Sequence, residues 1–213
     1  MGQDRGVMTA PGSLDVFASA AYAFARLVRT LPAESFDGPG LGEWDLRALV
    51  GHASRSLITV STYLQAPAQT ADLAGPVEYY TAMRGLMSDA GVEGIIERGR
   101  QAGRDLGSDP VAAVEALVTQ ALADVDEAGD PLITVIGGFG IRLSDYLPTR
   151  VFELAVHSLD IARATGVSAD LPAEVLEAAS VLATRIAVAS GEGETVLLAL
   201  TGRAQLPRVF SVT

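Results

Sequence analysis

Apolar residues recur every three or four positions along most of the chain. In the first such segment they are Leu14, Phe17, Ala18, Ala21, Phe24, Ala25 and Val28. This period predicts an amphipathic helix, with Ser13 as its N-cap and Pro32 beyond its end. A second helix with the same period is predicted after Asp45, its N-cap, and must stop before Pro67.

The region that follows predicts two more helical segments. Between Gly75 and Gly107 five further glycines weaken the helical pattern, and a break is expected near Gly91. Asp109 and Pro110 then mark the start of a stronger helix, as its cap and its first residue, and this helix runs to Gly129.

The last third of the chain contains both helical and β-strand patterns of apolar residues. Two short β-rich runs surround a glycine-rich turn in PLITVIGGFGIRL, which predicts a small hairpin. No strand-loop-helix order with dinucleotide spacing follows these glycines, so a nucleotide site is rejected. Helices are expected from Ser144 to Ala164, closed by Gly166, and from Pro172 to about Ser190. The end, ETVLLALTGRAQLPRVFSVT, predicts two strands.

These elements predict a mainly α protein with a small α/β appendage. We expect a flexible N-terminus at residues 1–12, a helical domain at residues 13–166 and a small C-terminal α/β appendage at residues 167–213. With 213 residues, of which 49% are hydrophobic, the chain is long enough to bury a sizeable core.

Charge and composition exclude several classes of partner and reaction. The 26 acidic and 15 basic residues give a net charge of −11, which disfavours nucleic acid and anionic membranes as partners. No apolar run reaches the roughly 20 residues that span a bilayer, and the N-terminus lacks signal-peptide features, so a cytoplasmic location is expected. The chain contains no cysteine and no lysine. It therefore has no thiol nucleophile of its own and no Schiff-base amine.

The chain has only two histidines, and their positions indicate a metal site. Glu153 and His157 lie one helical turn apart, roughly 40° around the axis, so both side chains can reach one ion. A third ligand would come from a packed helix, where His52 is the only other histidine. Two histidines and one carboxylate leave a coordination position open, which is typical of catalytic zinc.

Other interpretations of these residues remain open on spacing alone. Asp160 shares a face with His157 and could orient its imidazole or extend the ligand set. Arg150, three residues before Glu153, could pair with that carboxylate. Glu153 could equally form an ordinary helix salt bridge, with both histidines hydrogen-bonded in or near the core.

Two segments, WDLRALVGHASRSL and TRVFELAVHSLDIARATG, together resemble the mycothiol-dependent maleylpyruvate isomerase family, within the DinB-like metal-binding four-helix bundles. That family carries Trp-x-x-x-x-Leu-x-x-His in an early helix and Arg-x-x-Glu-x-x-x-His-x-x-Asp in a later one. The matching positions here are Trp44, Leu49, His52, Arg150, Glu153, His157 and Asp160. The resemblance covers residues from about 10 to 166 and a family-like LALTGRAQLP near the end.

The resemblance implies a DinB-like four-helix bundle in which His52, Glu153 and His157 hold a divalent metal, usually zinc. It also implies a low-molecular-weight thiol, mycothiol, as cosubstrate and a small electrophile such as maleylpyruvate. The chain is somewhat shorter than the family pattern at its C-terminal end. Many members of the family have no established isomerase activity. The resemblance therefore supports metal binding by this chain more strongly than it supports a particular substrate.

Further residues predict a polar pocket beside this site. Ser56, Thr59 and Tyr63 follow His52 at helical spacing and could line the pocket, as could Arg150, although a solvated or hydrogen-bonded helix face also explains them. The arginines of IIERGRQAGR could attract an anionic substrate or lie in solvent.

Two other functions fit the same residues. One is Fe(II) and oxygen chemistry at the two-histidine, one-carboxylate set. The other is a non-enzymatic helical binding or stress-response module.

Overall fold

The protein is mainly α-helical, as predicted. A computed structural model describes residues 12–86 and 89–213, without the side chains of residues 86–92. The helices are α1 Ser13–Thr30, α2 Leu46–Leu64, α3 Pro76–Leu86, α4 Asp89–Asp105, α5 Pro110–Ala128, α6 Leu143–Thr165, α7 Ala173–Ala189 and α8 Gly193–Leu200. The strands are β1 Leu132–Thr134 and β2 Gly140–Arg142. Residues 1–11 of the predicted flexible N-terminus lie outside the described residues.

Four helices form a bundle, as the family resemblance implies. Helices α1, α2, α5 and α6 close a ring, in which α1 and α2 each contact both α5 and α6. Their inward positions are apolar and fully buried, and include Phe17, Phe24, Leu49, Leu57, Val114 and Leu154. Helix α4 packs on the outside of α2, while α7 packs against α1, α3 and α6. The site described below lies between α2 and α6 of this bundle.

The observed N-caps can be compared with those predicted from the sequence. Asp45 and Asp109 each accept a hydrogen bond from the backbone N–H three residues along, at 2.7 and 3.0 Å, so both predicted caps are confirmed. The cap of α1 is Gly12 and not Ser13, which is the first helical residue. The reason is that the carboxylate of Asp15 reaches back to the N–H of Gly12, at 3.1 Å.

The predicted break near Gly91 is displaced toward the N-terminus. Helix α3 ends at Leu86 and α4 begins at Asp89, so Gly91 lies within α4. Residues 87 and 88, between the two helices, lie outside the described residues.

Glycines of α4 allow close packing against α2. A Cβ atom at Gly99 would lie 2.7 Å from the ring of Trp44, and one at Gly103 would lie 2.8 Å from the carbonyl oxygen of Arg47. These glycines weaken the helical pattern in the sequence, but they let α2 and α4 approach each other closely.

The predicted hairpin is confirmed, but the two C-terminal strands are wrong. Strands β1 and β2 pair antiparallel, with Ile133 opposite Ile141. Residues 193–200 form α8 instead of a strand, and residues 201–213 contain no strand. Gly191 adopts a φ of 84° after α7, and α8 then packs on α7. A short apolar run is compatible with either a strand or a helix, and the packing against α7 favours the helix here.

Gly166 ends α6 in the left-handed conformation, with a φ of 75°, as its position predicts. The domain boundary placed there stays a prediction. None of the helices in residues 12–86 and 89–213 combines the length and the apolar character needed to cross a membrane.

Candidate metal centre

Three side chains from two helices meet at one point. His52 comes from α2, and Glu153 and His157 come from successive turns of α6. One ligand atom from each lies within 4.8 Å of the other two. The Nε2 atom of His157 is 3.3 Å from Oε2 of Glu153, and the two imidazole rings are 4.8 Å apart. The convergence expected from the sequence is therefore present.

Trp44 fixes the α2 side of the centre. Its ring lies 4.4 Å from the ring of His52, and its Nε1–H donates to the carbonyl oxygen of Ile96 in α4, at 3.0 Å. Gly99 leaves the space that the indole fills. The tryptophan eight residues before His52 thus couples the packing of α4 to the position of the imidazole.

His52 is held as a neutral base. Its Nδ1 atom is buried and has no hydrogen-bond partner among the described residues. Burial, and then the positive charge of His157, lower the pKa of His52 to about 4. The imidazole is uncharged at neutral pH, which is the form that binds metals.

His157 lies between two carboxylates. Its Nδ1 atom is 3.2 Å from Oδ2 of Asp160, which leaves Nε2 facing Glu153. Burial lowers the pKa of His157, but the hydrogen bonds to Asp160 and Glu153 outweigh burial and raise it to about 9. Asp160 therefore lies where an outer partner would fix the tautomer and orientation of a ligating imidazole.

Glu153 is kept ionised and oriented. Burial alone would raise its pKa, but the hydrogen bond from His157 and the charge of Arg150 lower it to about 2. The hydroxyl group of Tyr80 donates to Oε1 of Glu153 at 2.7 Å. Sequence reasoning missed Tyr80, because nothing in the EYYTAM segment distinguishes it from its neighbour Tyr79.

Arg150 is buried and does not pair directly with Glu153 among the described residues. Its guanidinium lies over the rings of Tyr146 and Tyr79, at 4.8 and 5.5 Å from their centroids. Its Nε–H donates to the hydroxyl oxygen of Thr149 at 3.0 Å. This stacked cation acts on Glu153 through its charge and not through contact.

A cavity of about 680 Å³ opens beside the centre, within the size range of small-molecule sites. Its lining includes His52 and Glu153 and the four pocket candidates from the sequence, Ser56, Thr59, Tyr63 and Arg150. Thr59 is held by the hydroxyl group of Tyr146, which donates to it at 3.0 Å. Further residues of α2, α3 and α4, the tip of the hairpin and residues 212 and 213 complete the lining.

The donor set fits a divalent metal. It offers a neutral imidazole with an unpartnered nitrogen, an ionised carboxylate and a second imidazole oriented by Asp160. Two nitrogens and one oxygen are a common ligand set of catalytic zinc. The alternative without metal accounts for the contacts of His157, but it expects a hydrogen-bond partner on His52 that the described residues do not provide for Nδ1.

Comparison with known proteins agrees with this architecture. The chain matches the model of the family described as mycothiol maleylpyruvate isomerase N-terminal domain over residues 17–162, which include α2 and nearly all of α6. No curated protein and no solved structure matches it. Since the matched range is more than half of the 213 residues, the chain belongs to the mycothiol maleylpyruvate isomerase N-terminal domain family.

Proposed function

We propose that the protein is a metal- and thiol-dependent isomerase or transferase that acts on a small electrophile. The observation that carries the proposal is the convergence of His52, Glu153 and His157, of which His52 and Glu153 line a ligand-sized cavity. Membership in a family of mycothiol maleylpyruvate isomerases supports the same reading. Zinc is the proposed ion, because the donors are two imidazoles and one carboxylate.

His52, Glu153 and His157 would hold the ion, and Asp160 and Tyr80 would orient two of these ligands. When bound, the ion would convert a thiol to its thiolate, the form that attacks electrophiles. The chain has no cysteine, so the thiol must come from a second molecule. Mycothiol is the proposed thiol, and a reduced cytoplasmic thiol pool is the proposed setting.

For a maleylpyruvate-like substrate the reaction is an addition followed by an elimination. The thiolate forms a C–S bond to one carbon of the cis double bond, and the π electrons move toward the adjacent carbonyl group. Rotation about the resulting single bond and expulsion of the thiolate then give the trans isomer. The thiol is regenerated, so no oxidant or reductant is required.

The cavity walls have separate tasks in this scheme. The hydroxyl groups of Ser56 and Tyr63 line the cavity and are the proposed hydrogen-bond donors to bound substrate. Arg150 contributes fixed positive charge toward the negative charge that develops on the substrate carbonyl. Its contacts with the rings of Tyr79 and Tyr146 hold that charge in place before substrate binds.

The test is metal analysis of the purified protein, followed by an isomerisation and thiol-conjugation assay with maleylpyruvate and related electrophiles. We expect about one zinc per chain and turnover that requires both zinc and a thiol. Glu153→Ala should abolish turnover, while Glu115→Ala, which removes a surface partner of Arg29, should not. Activity with Fe(II) and oxygen but without thiol would replace the proposal with the oxygenase alternative. Absence of both metal and turnover would favour the non-enzymatic module.

A further inference from the structure

The cavity beside the metal centre is rich in positive charge. Among the side chains that the structure describes, its lining contains Arg55, Arg84, Arg98 and Arg150 and a single acidic residue, Glu153. This contrasts with the whole chain, whose net charge is −11. Low-dielectric walls with one sign of charge concentrate ligands of the opposite sign. The lining therefore points to an anionic ligand.

Two of the four guanidinium groups already have fixed partners. Arg84 donates to the hydroxyl oxygen of Ser190 at 2.8 Å and to the carbonyl oxygen of Val212 at 2.6 Å. Arg150 lies over the rings of Tyr79 and Tyr146. Arg55 and Arg98 are left for a ligand, since neither has an acidic partner among the side chains that the structure describes.

Helix α4 separates its arginines into two groups. Arg100 pairs with Glu43 at 3.2 Å, and Arg104 pairs with Glu97 at 2.6 Å, both on the surface. Arg98 is exposed as well, but it lines the cavity and has no acidic partner among the described side chains. The sequence could not show whether the three arginines of IIERGRQAGR lie in solvent or contact substrate. Arg98 is the one that lines the cavity.

Arg55 places the positive charge close to the metal centre. It follows His52 by three residues on α2, so the two side chains share a helix face. Burial, followed by the positive charge of Arg98, lowers the pKa of Arg55. The partly buried Arg55 has no acidic partner among the described side chains, so its burial costs folding free energy that a bound anion would offset.

We propose that Arg55 and Arg98 form a carboxylate-binding subsite and that the electrophilic substrate carries a carboxylate held there. The planar fork of a guanidinium matches the two oxygens of a carboxylate. The reactive carbon then lies on the side of His52 and Glu153. This assignment of the reactive end rests on the proposed function, whereas carboxylate binding to the arginines does not require the metal.

The test is titration calorimetry of the full chain with fumarate and with fumaramide, which has the same skeleton without charge. We expect fumarate to bind both the zinc-loaded and the chelator-treated protein, and fumaramide to bind far more weakly. Arg55→Gln and Arg98→Gln should each weaken fumarate binding on the order of 10- to 100-fold, as expected for a lost charged hydrogen bond. Arg104→Gln, with the same charge change on α4 but outside the cavity, is the matched control. Thermal unfolding checks that each variant is folded.

A second pair of probes identifies which molecule supplies the carboxylate. N-acetylcysteine and its amide differ in that group alone. If only N-acetylcysteine binding depends on Arg55 and Arg98, the carboxylate belongs to the thiol and our assignment is overturned. It is also overturned if fumarate does not bind, or if Arg104→Gln has the same effect. Fumarate binding that persists while no thiol binds the zinc-loaded protein would refute the proposed function and leave the carboxylate subsite standing.

Discussion

The α2 and α6 sides of the proposed metal centre hold their histidines in opposite ways. His52 packs against an aromatic ring and leaves Nδ1 without a partner among the described residues, and its pKa falls to about 4. His157 lies between two carboxylates, and its pKa rises to about 9. In the metal-free protein the proton on His157 therefore supplies positive charge beside Glu153. The α6 side thus surrounds its histidine with carboxylates, whereas the α2 side leaves an imidazole nitrogen without a partner among the described residues.

The largest expected effect is the loss of the metal when either ligand on α6 is removed. His157→Ala and Glu153→Ala should each abolish tight zinc binding, because two donors remain of three. The bundle core supplies most of the stability in a chain of this size, so helical content should stay nearly intact. Zinc stoichiometry by atomic absorption and far-ultraviolet circular dichroism measure the two effects. Full zinc stoichiometry in either variant would remove that residue from the ligand set.

The difference between the two histidines also predicts the pH dependence of zinc affinity. Between about pH 5.5 and 8.5 only His157 must lose a proton to bind, since the pKa values of His52 and Glu153 are about 4 and about 2. Zinc affinity should rise about tenfold per pH unit in this window, the slope for release of one proton. Competition with a chelator of known affinity measures the slope. A slope of two protons would mean that the α2 side is also protonated.

Outer partners should have smaller effects than ligands. Asp160→Asn is expected to weaken zinc binding on the order of 10- to 100-fold, and Tyr80→Phe about 10-fold. Asp160→Asn should also move the rise in affinity to lower pH, because the hydrogen bond to Asp160 helps raise the pKa of His157. Asp126→Asn, on the surface of α5, makes the same charge change away from the site and should have no effect. Equal weakening in that control would reduce the effect to one of net charge.

The smallest expected effect is on the stability of the metal-free protein. His52→Leu should be neutral or stabilising by about 1 kcal/mol, because it removes a buried nitrogen without a partner. His157→Leu should destabilise by about 1 to 3 kcal/mol, because it leaves Glu153 and Asp160 without the group they contact. Urea unfolding in the presence of a chelator gives both values. Equal destabilisation by the two changes would mean that the two sides do not differ as described.

The parts of the fold that the sequence predicts correctly depend on local signals. The helical period, the Asp45 and Asp109 caps and the glycine at residue 166 act within one or two turns, and the structure confirms them. The C-terminal strands failed because the apolar run in residues 193–200 is too short for its period to distinguish a helix from a strand. The contact with α7 that decides between them lies outside that run.

The candidate site also contains residues that the sequence predicts and residues that it could not predict. The spacing of Glu153 and His157 allows them to share one ion with His52, and the resemblance of the two helical segments to the maleylpyruvate isomerase family makes this a prediction. Tyr80 and Arg98 could not be placed, because the sequence around each is an ordinary helical face. Their position depends on how α3 and α4 pack on the bundle. For α4, that packing uses the space that Gly99 and Gly103 leave open.

The most direct test of the account is the binding of mycothiol to the zinc-loaded protein, measured by calorimetry in buffers of different ionisation enthalpy. A thiol that binds the metal is deprotonated, so we expect release of about one proton per site near neutral pH. The chelator-treated protein should show neither the binding nor the proton release. Mycothiol should bind more tightly than a simple thiol such as 2-mercaptoethanol, because its sugar portion can contact the cavity wall. Equally strong binding without zinc, or no binding of any thiol, would contradict a metal- and thiol-dependent function.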